Sequence, residues 1–203
     1  MTNPDEFYDD YGRFSHLEEK YMLEEKEKYI EQKSNESIEY YFDTKGKEID
    51  KKINFCIDRA NKLNKNKFYG NSITTSFTAI ELIIRDLYLK PLVIGALISD
   101  NLSGIIFNHI FDKRNKGYEE RELLKDIVKQ WGFNLAEINI QSGNQLWESI
   151  INTKECRNDF VHGAKKVEKD DAEIALECAD ELLNLIQEIT KKLNIDFEII
   201  VDY

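Results

Sequence analysis

The sequence predicts an all-α protein built as an up-and-down helical bundle, with an N-terminal helical extension and a short irregular or strand-like C-terminal tail. Only nine Gly and two Pro interrupt the 203 residues, and apolar residues recur mostly at helical spacing. Hydrophobic residues make up 41% and charged residues 33% of the chain, a composition typical of soluble globular proteins. We therefore expect one main domain with a substantial core.

Charge divides the chain into an acidic arm, a bundle and a tail, predicted at 1–46, 47–193 and 194–203. Residues 1–50 hold 15 acidic and 7 basic residues, net −8, whereas residues 51–203 hold 24 and 21, net −3. The arm has the Glu/Lys pairs of an exposed helix over 15–41. It is expected to be a peripheral helix or helix pair that is solvated or docks on the body or on a second subunit.

Helical periodicity predicts four bundle helices, at 47–63, 72–90, 145–165 and 169–193. On the first of these, the apolar residues that recur in phase are Ile49, Ile53, Ile57 and Ala60. Pro91 is expected to end or kink the second of these helices, because the residue before a proline is disfavoured in helical geometry. Asp170 or Asp171 is the expected cap of the last helix. An insertion at about 92–143 is predicted to contain helices near 104–112 and 118–131 and an extended connector at 134–144.

Several classes of protein and site are not expected. No run of 18 apolar residues could span a membrane, and residues 1–10 do not resemble a leader, so a cytoplasmic location is predicted. Cys56, Cys156 and Cys178 are odd in number and widely spaced, which favours three reduced thiols. There is no His pair at helical spacing, no CxxC and no phosphate-binding glycine loop, so neither a metal nor a cofactor is predicted.

On the predicted helix at 145–165, polar residues occupy the later positions of the face that begins with apolar residues. Ile150 and Ile151 lie one turn after Leu146 on the apolar face of this helix. The positions that continue the same face are Arg157 and Asn158, followed by His162. A guanidinium away from water costs several kcal/mol unless it is paired. We therefore expect Arg157 either to pair with an acid of its surroundings or to be held open for an anion. The candidate acids are Asp159, Glu155 and Glu81.

The stretch RNDFVHG, residues 157–163, resembles the R-x4-6-H motif of HEPN domains. The run TAIELIIRDLYL, residues 78–89, with Glu81 and Arg85, is similar to an early helix of the same family, and the resemblance covers about 50–193. It implies a metal-independent endoribonuclease with a composite site at a homodimer interface, in a toxin or antiviral defence role.

The resemblance also bears on regulation. In one HEPN toxin subgroup a Tyr two positions after the His is modified by a partner enzyme, and here that position is Ala164. That mode of control is therefore not expected. Inhibition by an antitoxin or another partner protein, or by the acidic arm itself, stays open.

The chemistry of RNA cleavage suits these residue types independently of any family. Attack by a 2′-hydroxyl on the adjacent phosphorus needs a base, an acid and positive charge on the phosphate oxygens. His162 could serve as base or acid, and Arg157 offers a planar fork of donors to phosphate. Asn158 could hold the imidazole or donate to the phosphate, and Gly163 leaves room for a ligand. A two-fold dimer would supply the second His.

Two supporting sets accompany the predicted catalytic residues. Residues 51–68 have six basic residues against one acidic residue, and the cations predicted to hold RNA are Lys51, Lys52, Arg59, Lys62, Lys165 and Lys166. Glu81 is either a buried acid that orients Arg157 or His162, or a helical partner of Arg85. The alternative function is a non-catalytic HEPN-like module that binds a nucleotide, RNA or a partner protein.

Overall fold

The computed structural model describes residues 4–96, 124–125, 128–129, 131–195 and 197. Its helices are α1 (Pro4–Lys65), α2 (Tyr69–Leu82), a π-helical segment (Ile83–Leu89), α3 (Lys90–Ala96), α4 (Leu146–Gly163) and α5 (Lys169–Lys192). No sheet forms within these residues, where a single antiparallel bridge joins Asn139 and Gln145. The predicted all-α bundle is confirmed. No helix in the described part of the chain is long and apolar enough to cross a membrane.

Helix α1 runs without a break through the predicted boundary between arm and bundle, so the predicted helical stretches at 15–41 and 47–63 belong to one helix. Pairs such as Lys52 with Glu48, 2.6 Å apart one turn away, support the helix locally. Gly46 lies within this helix, and its missing Cβ lets Phe197 approach, because an added Cβ would lie 2.7 Å from the ring. The core already includes Ile38, eight residues before the predicted boundary.

The core forms where one ridge of α1 meets α2 and α5. Ile53 and Ala60 on α1 are fully buried, as the sequence periodicity predicts, and so are Ile80 on α2 and Leu182 on α5. Burying an aliphatic side chain of this size contributes about 1.5–3 kcal/mol. The N-terminal part of α1 differs, because residues 19–29 are all exposed.

The helix that follows α2 changes its hydrogen bonding before Pro91. Regular α-helical geometry ends at Leu82, and the amide of Lys90 donates to the carbonyl of Arg85, five residues earlier. Proline has no N–H and its ring clashes with the carbonyl four residues before it, which a wider π turn relieves. The chain therefore changes its helical form here and continues as α3, so the helix does not end at Pro91 as one of the two predicted outcomes required.

The C-terminal end of α4 and the N-terminal end of α5 fix the position of the candidate site. Ala164 adopts a left-handed conformation at φ 50°, and its amide donates to the carbonyl of Phe160, which ends α4. The cap of α5 is Glu168, whose amide donates to Asp171 at 3.1 Å. The predicted cap at Asp170 or Asp171 is thus displaced by two or three residues, because Asp171 acts from inside the first turn.

The connector and the tail are described in part. Residues 133–145 form turns closed by backbone bonds, such as the amide of Ile140 to the carbonyl of Asn144, rather than the predicted extended segment. Phe197 stacks on Phe42 with ring centroids 4.1 Å apart. The predicted helix at 104–112, most of the one at 118–131 and most of the strand-like tail lie outside the described residues.

Candidate anion-binding site on helix α4

Arg157 lies on the core-facing side of α4, close to the end of the bundle, and is half-buried. Its Nη1 donates to Asn158 Oδ1 at 2.8 Å, and its guanidinium carbon lies 5.6 Å from the centroid of the Phe77 ring. Its Nε is buried and has no hydrogen-bond partner within the described part of the chain. A neutral amide and an aromatic face therefore hold the guanidinium without neutralising it.

None of the three acids that could have paired with Arg157 does so within the described part of the chain. Asp159 is paired instead with Lys165, at 2.6 Å. Glu155 and Glu81 are exposed, and neither bonds to the guanidinium. The structure therefore leaves the positive charge of Arg157 available, which is the condition for holding an anion.

His162 lies one helical turn beyond Asn158 and is exposed. Its ring forms no hydrogen bond to any other described residue. The next residue, Gly163, faces open space, because an added Cβ would meet only Lys165 Cγ at 3.9 Å. The neighbouring Val161 is 48% exposed, which is high for an aliphatic side chain. The last turn of α4 thus presents an imidazole on an accessible, partly apolar surface.

Arg85 belongs to a different cluster. Its Nε and Nη2 donate to both oxygens of Asp86, at 2.9 and 2.7 Å, and Lys90 Nζ lies 2.7 Å from Asp86 Oδ1. These bonds outweigh the effect of burial and hold the pKa of Asp86 below its usual value. Sequence reasoning missed Asp86, although a lone acid in the apolar run 83–89 was a usable signal.

Glu81 is exposed, so it is not the buried acid that one interpretation required. Hydrogen bonding to Asp86 is the main reason that the pKa of Arg85 is raised, and the charge of Glu81 adds to that rise. Among the described residues Arg85 forms its ion pair with Asp86 and none with Glu81, which lies four residues earlier.

The six cations proposed to hold RNA are all exposed. Lys51, Lys52, Arg59 and Lys62 lie on α1, while Lys165 and Lys166 follow α4. Lys166 is paired with Glu168 at 2.9 Å. Exposed pairs of this kind contribute little, about 0–1 kcal/mol. A phosphate could therefore compete for these lysines.

A cavity of about 340 Å³ opens on the adjacent face of α4. It is lined by Ile73, Asn144, Gln145, Glu148, Ser149, Asn152, Thr153, Cys156, Asp171 and Ile174. Neither Arg157 nor His162 belongs to it. Sequence reasoning missed the cavity, because its walls come from α2, α4, α5 and the connector before α4. In the described part of the chain, no group of three or more His, Cys, Asp and Glu side chains is arranged to hold a metal.

Comparison of the chain with protein-family models, with curated proteins and with solved structures finds no match.

Proposed function

We propose that the protein is a metal-independent endoribonuclease of HEPN type that cleaves RNA by attack of the 2′-hydroxyl on the adjacent phosphorus. Arg157, Asn158 and His162 are the proposed catalytic residues. The observation that carries the proposal is the state of Arg157, whose half-buried guanidinium has no carboxylate partner among the described residues. A cation held in this way is preorganised for a phosphate oxygen, since it need not first leave an acid.

The proposed reaction consists of one displacement at phosphorus. A base removes the proton of the 2′-hydroxyl, the 2′-oxygen bonds to phosphorus, and the bond from phosphorus to the 5′-oxygen breaks. An acid then gives its proton to the departing 5′-oxygen, which leaves a 2′,3′-cyclic phosphate and a 5′-hydroxyl. Arg157 stabilises the negative charge that accumulates on the non-bridging oxygens.

A homodimer supplies both the base and the acid in this proposal. One chain offers a single exposed imidazole at the site, whereas the reaction uses two proton-transfer groups. The exposure of Val161, beside His162 at the end of α4, suits a contact between two copies. Across a two-fold axis the same segment meets itself, so His162 of each copy would serve one half of the reaction.

The setting proposed for this activity is cytoplasmic, as a toxin or antiviral defence effector that acts on cellular RNA and is restrained by a partner protein. This part of the proposal rests on the resemblance of residues 157–163 and 78–89 to HEPN domains.

A second candidate function, anion binding without turnover, is favoured by a separate observation. The Asn158 amide and the Phe77 ring hold Arg157, but no described residue orients His162. A site with a fixed cation and an unrestrained imidazole would bind an RNA or nucleotide phosphate without moving protons efficiently. Tight RNA binding with no product would identify this function.

The decisive experiment incubates the purified protein with mixed cellular RNA in EDTA, beside Arg157→Ala and His162→Ala. Glu155→Ala is the matched control, because Glu155 is exposed on the same helix and bonds to none of the three proposed residues. We expect cleavage by the wild type and by Glu155→Ala, with 2′,3′-cyclic phosphate ends, and none by the other two variants. Equal cleavage by all four proteins, or none by the wild type, would contradict the proposal.

A further inference from the structure

The turn between α1 and α2 has a well-defined backbone. The amide of Lys67 donates to the carbonyl of Asn64 at 2.9 Å. The amide of Phe68 donates to the carbonyl of Leu63, also at 2.9 Å. Lys67 itself adopts the left-handed conformation, at φ 64°. Together these features form a Schellman motif, which ends a helix with one backbone geometry. The side chains of Lys67 and Phe68 therefore start from fixed positions.

The aromatic ring of Phe68 extends into solvent from this turn. A Schellman motif commonly packs the residue after the left-handed one against the helix that it ends, which here would place Phe68 on Leu63. Phe68 is nevertheless 60% exposed. Its ring has no polar atom and offers water only an apolar π-face. A flat partner that stacked on the ring would remove that surface from water.

The segment around this ring carries positive charge and no acid. Residues 59–80 include Arg59, Lys62, Lys65 and Lys67 but neither Asp nor Glu. All four cations are exposed, and none of them forms an ion pair with a described residue. The first turn of α2 also lacks an acid, and its N-cap is Phe68, whose side chain cannot accept a hydrogen bond from the helix amides. These charges and the N-terminus of α2 both favour an anion such as a phosphate.

This turn lies at the same end of the bundle as the proposed catalytic residues. Arg157 on α4 lies over the ring of Phe77 on α2. Nearer the end of α4, the ring of Phe160 occupies the space that a Cβ of Gly70 would take. The two helices therefore run antiparallel, and the end of α4 meets the start of α2. Because Phe160 is two residues before His162 and Gly70 is in the first turn of α2, the imidazole and the turn before α2 are neighbours.

We propose that Phe68 is a stacking platform for an unpaired nucleobase of the RNA substrate, while Lys65 and Lys67 hold the adjacent phosphates. Stacking on an aromatic side chain needs a free base face, which a base inside a duplex does not offer. The substrate that this subsite accepts is therefore a single-stranded segment. The inference rests on the proposed function for the identity of its ligand, and it adds a base-binding residue beside the reacting phosphate.

Fluorescence anisotropy with a 2′-O-methyl RNA of about 12 nucleotides, at physiological ionic strength, tests the proposal separately from cleavage. A methylated 2′-oxygen cannot attack phosphorus, so the oligonucleotide stays intact whether or not the protein is a ribonuclease. We expect the single strand to bind about fivefold or more tightly than a blunt duplex of the same sequence. Such binding without cleavage of ordinary RNA would contradict the proposed function but not this inference.

Variants of Phe68 separate stacking from general apolar contact. Phe68→Leu keeps an apolar side chain but has no π-face, so it should weaken binding of the single strand about fivefold or more. Phe68→Trp keeps a π-face and should retain the affinity within about twofold. Tyr40→Ala is the matched control, because Tyr40 is an aromatic residue of α1 that is 64% exposed but lies outside the basic segment. It should change the affinity by less than about twofold.

Lys67→Gly should change stability and RNA binding in opposite directions. Glycine suits the left-handed conformation better than lysine does, so the midpoint of thermal unfolding should rise by about 2–4 °C. Loss of a cation that holds a phosphate should nevertheless weaken the single strand and reduce the slope of log K against log salt concentration by about 1. Unfolding could not explain that combination.

Three results would overturn the proposal. The first is absence of binding of the single strand by the wild type up to about 100 μM. The second is a duplex that binds as tightly as the single strand. The third is an equal loss of affinity in Phe68→Leu and Tyr40→Ala, even if the wild type cleaves ordinary RNA.

Discussion

Two arginines of this protein, Arg85 and Arg157, meet opposite surroundings. Arg85 forms a two-pronged ion pair with Asp86, which is 5% exposed and also bonds to Lys90. Arg157 is half-buried, yet among the described residues it bonds only to the neutral amide of Asn158 and lies over the Phe77 ring.

The difference shows how the same side chain can serve structure in one place and remain available in another. A buried carboxylate satisfies Arg85 and Lys90, so their charges are committed to the fold. An amide and a ring position Arg157 without cancelling its charge. The physical criterion for a candidate anion site is therefore the absence of a compensating acid, rather than the presence of an arginine.

The largest expected effect is a difference in the rate of RNA cleavage between variants of the two arginines. Arg157→Ala should lower the initial rate of RNA cleavage on the order of 10²–10³-fold, because it removes charge stabilisation at the reacting phosphate. Arg85→Ala should retain the wild-type rate when the protein remains folded, which circular dichroism checks. If the two substitutions reduced cleavage equally, the contrast between the sites would be broken.

For the free energy of unfolding the contrast should be reversed, with the larger effect coming from a substitution in the Arg85 cluster. Asp86→Ala should lower the free energy of unfolding by about 2–3 kcal/mol, since it leaves two cations without their shared acid. Because the pKa of Asp86 is lowered in the folded state, its contribution is present above the unfolded pKa and is lost as the pH falls through the folded pKa. Urea unfolding at neutral and at acidic pH measures both effects.

Asp159→Ala is the matched control for that experiment, because the pair of Asp159 with Lys165 is exposed on both sides. Its removal should change the free energy of unfolding by less than about 0.5 kcal/mol. A loss similar to that of Asp86→Ala would show that burial is not what distinguishes the two ion pairs.

A steric prediction concerns how α4 is held beside α2. A Cβ added at Gly70 would lie 2.2 Å from Phe160 Cε2, so Gly70→Ala must displace the ring and should destabilise the protein by about 1–2 kcal/mol. Gly163→Ala has open space and should be neutral or slightly stabilising. Thermal unfolding compares the two variants. A greater loss of stability in Gly163→Ala would contradict the packing described for α4.

The smallest effect comes from an acid that, like Arg157, has no partner of opposite charge among the described residues. Burial and the charge of Glu177 raise the pKa of Asp180 to about 6, and its Oδ1 forms no hydrogen bond. Between the unfolded and folded pKa values the native state binds more protons, so stability should fall as the pH rises from about 4 to about 6.

Asp180→Asn should remove that decline and raise the free energy of unfolding at pH 7.5 by about 1 kcal/mol, a value reduced for partial solvent exposure. Urea unfolding at a series of pH values checks it, with the exposed Asp43→Asn as the control. A pH dependence that persisted unchanged in Asp180→Asn would assign the effect to other groups.

Much of the fold was predictable from the local pattern of the sequence. The predicted helices at 145–165 and 169–193 correspond to Leu146–Gly163 and Lys169–Lys192, because helical periodicity and end signals are properties of neighbouring residues. The same reasoning expected Pro91 to end or kink the second helix, where the structure has a π-helical segment that continues into α3. At α1 the change in charge between arm and body coincides with no break in the helix, because charge pattern alone does not end a helix.

The candidate site was predictable only in its membership. Arg157, Asn158 and His162 lie in the last three turns of α4, as their spacing required. The partners of Arg157 were not predictable, since Asp159, Glu155 and Glu81 were equally plausible from sequence. Glu81 shows the reason, because a position within an apolar run can still face solvent when the helix turns it outward.

The sequence by itself determined the helical class, the phase of the buried ridge on α1 and the placement of a polar group at the end of α4, because each depends on residues within one or two turns. Only the tertiary structure decided that Asp86 pairs with both Arg85 and Lys90, that Arg157 has no such acid among the described residues, and that a cavity opens on the adjacent face of α4. Those outcomes depend on which helices meet and at what distance, and the free energy of burying a charge depends on those distances.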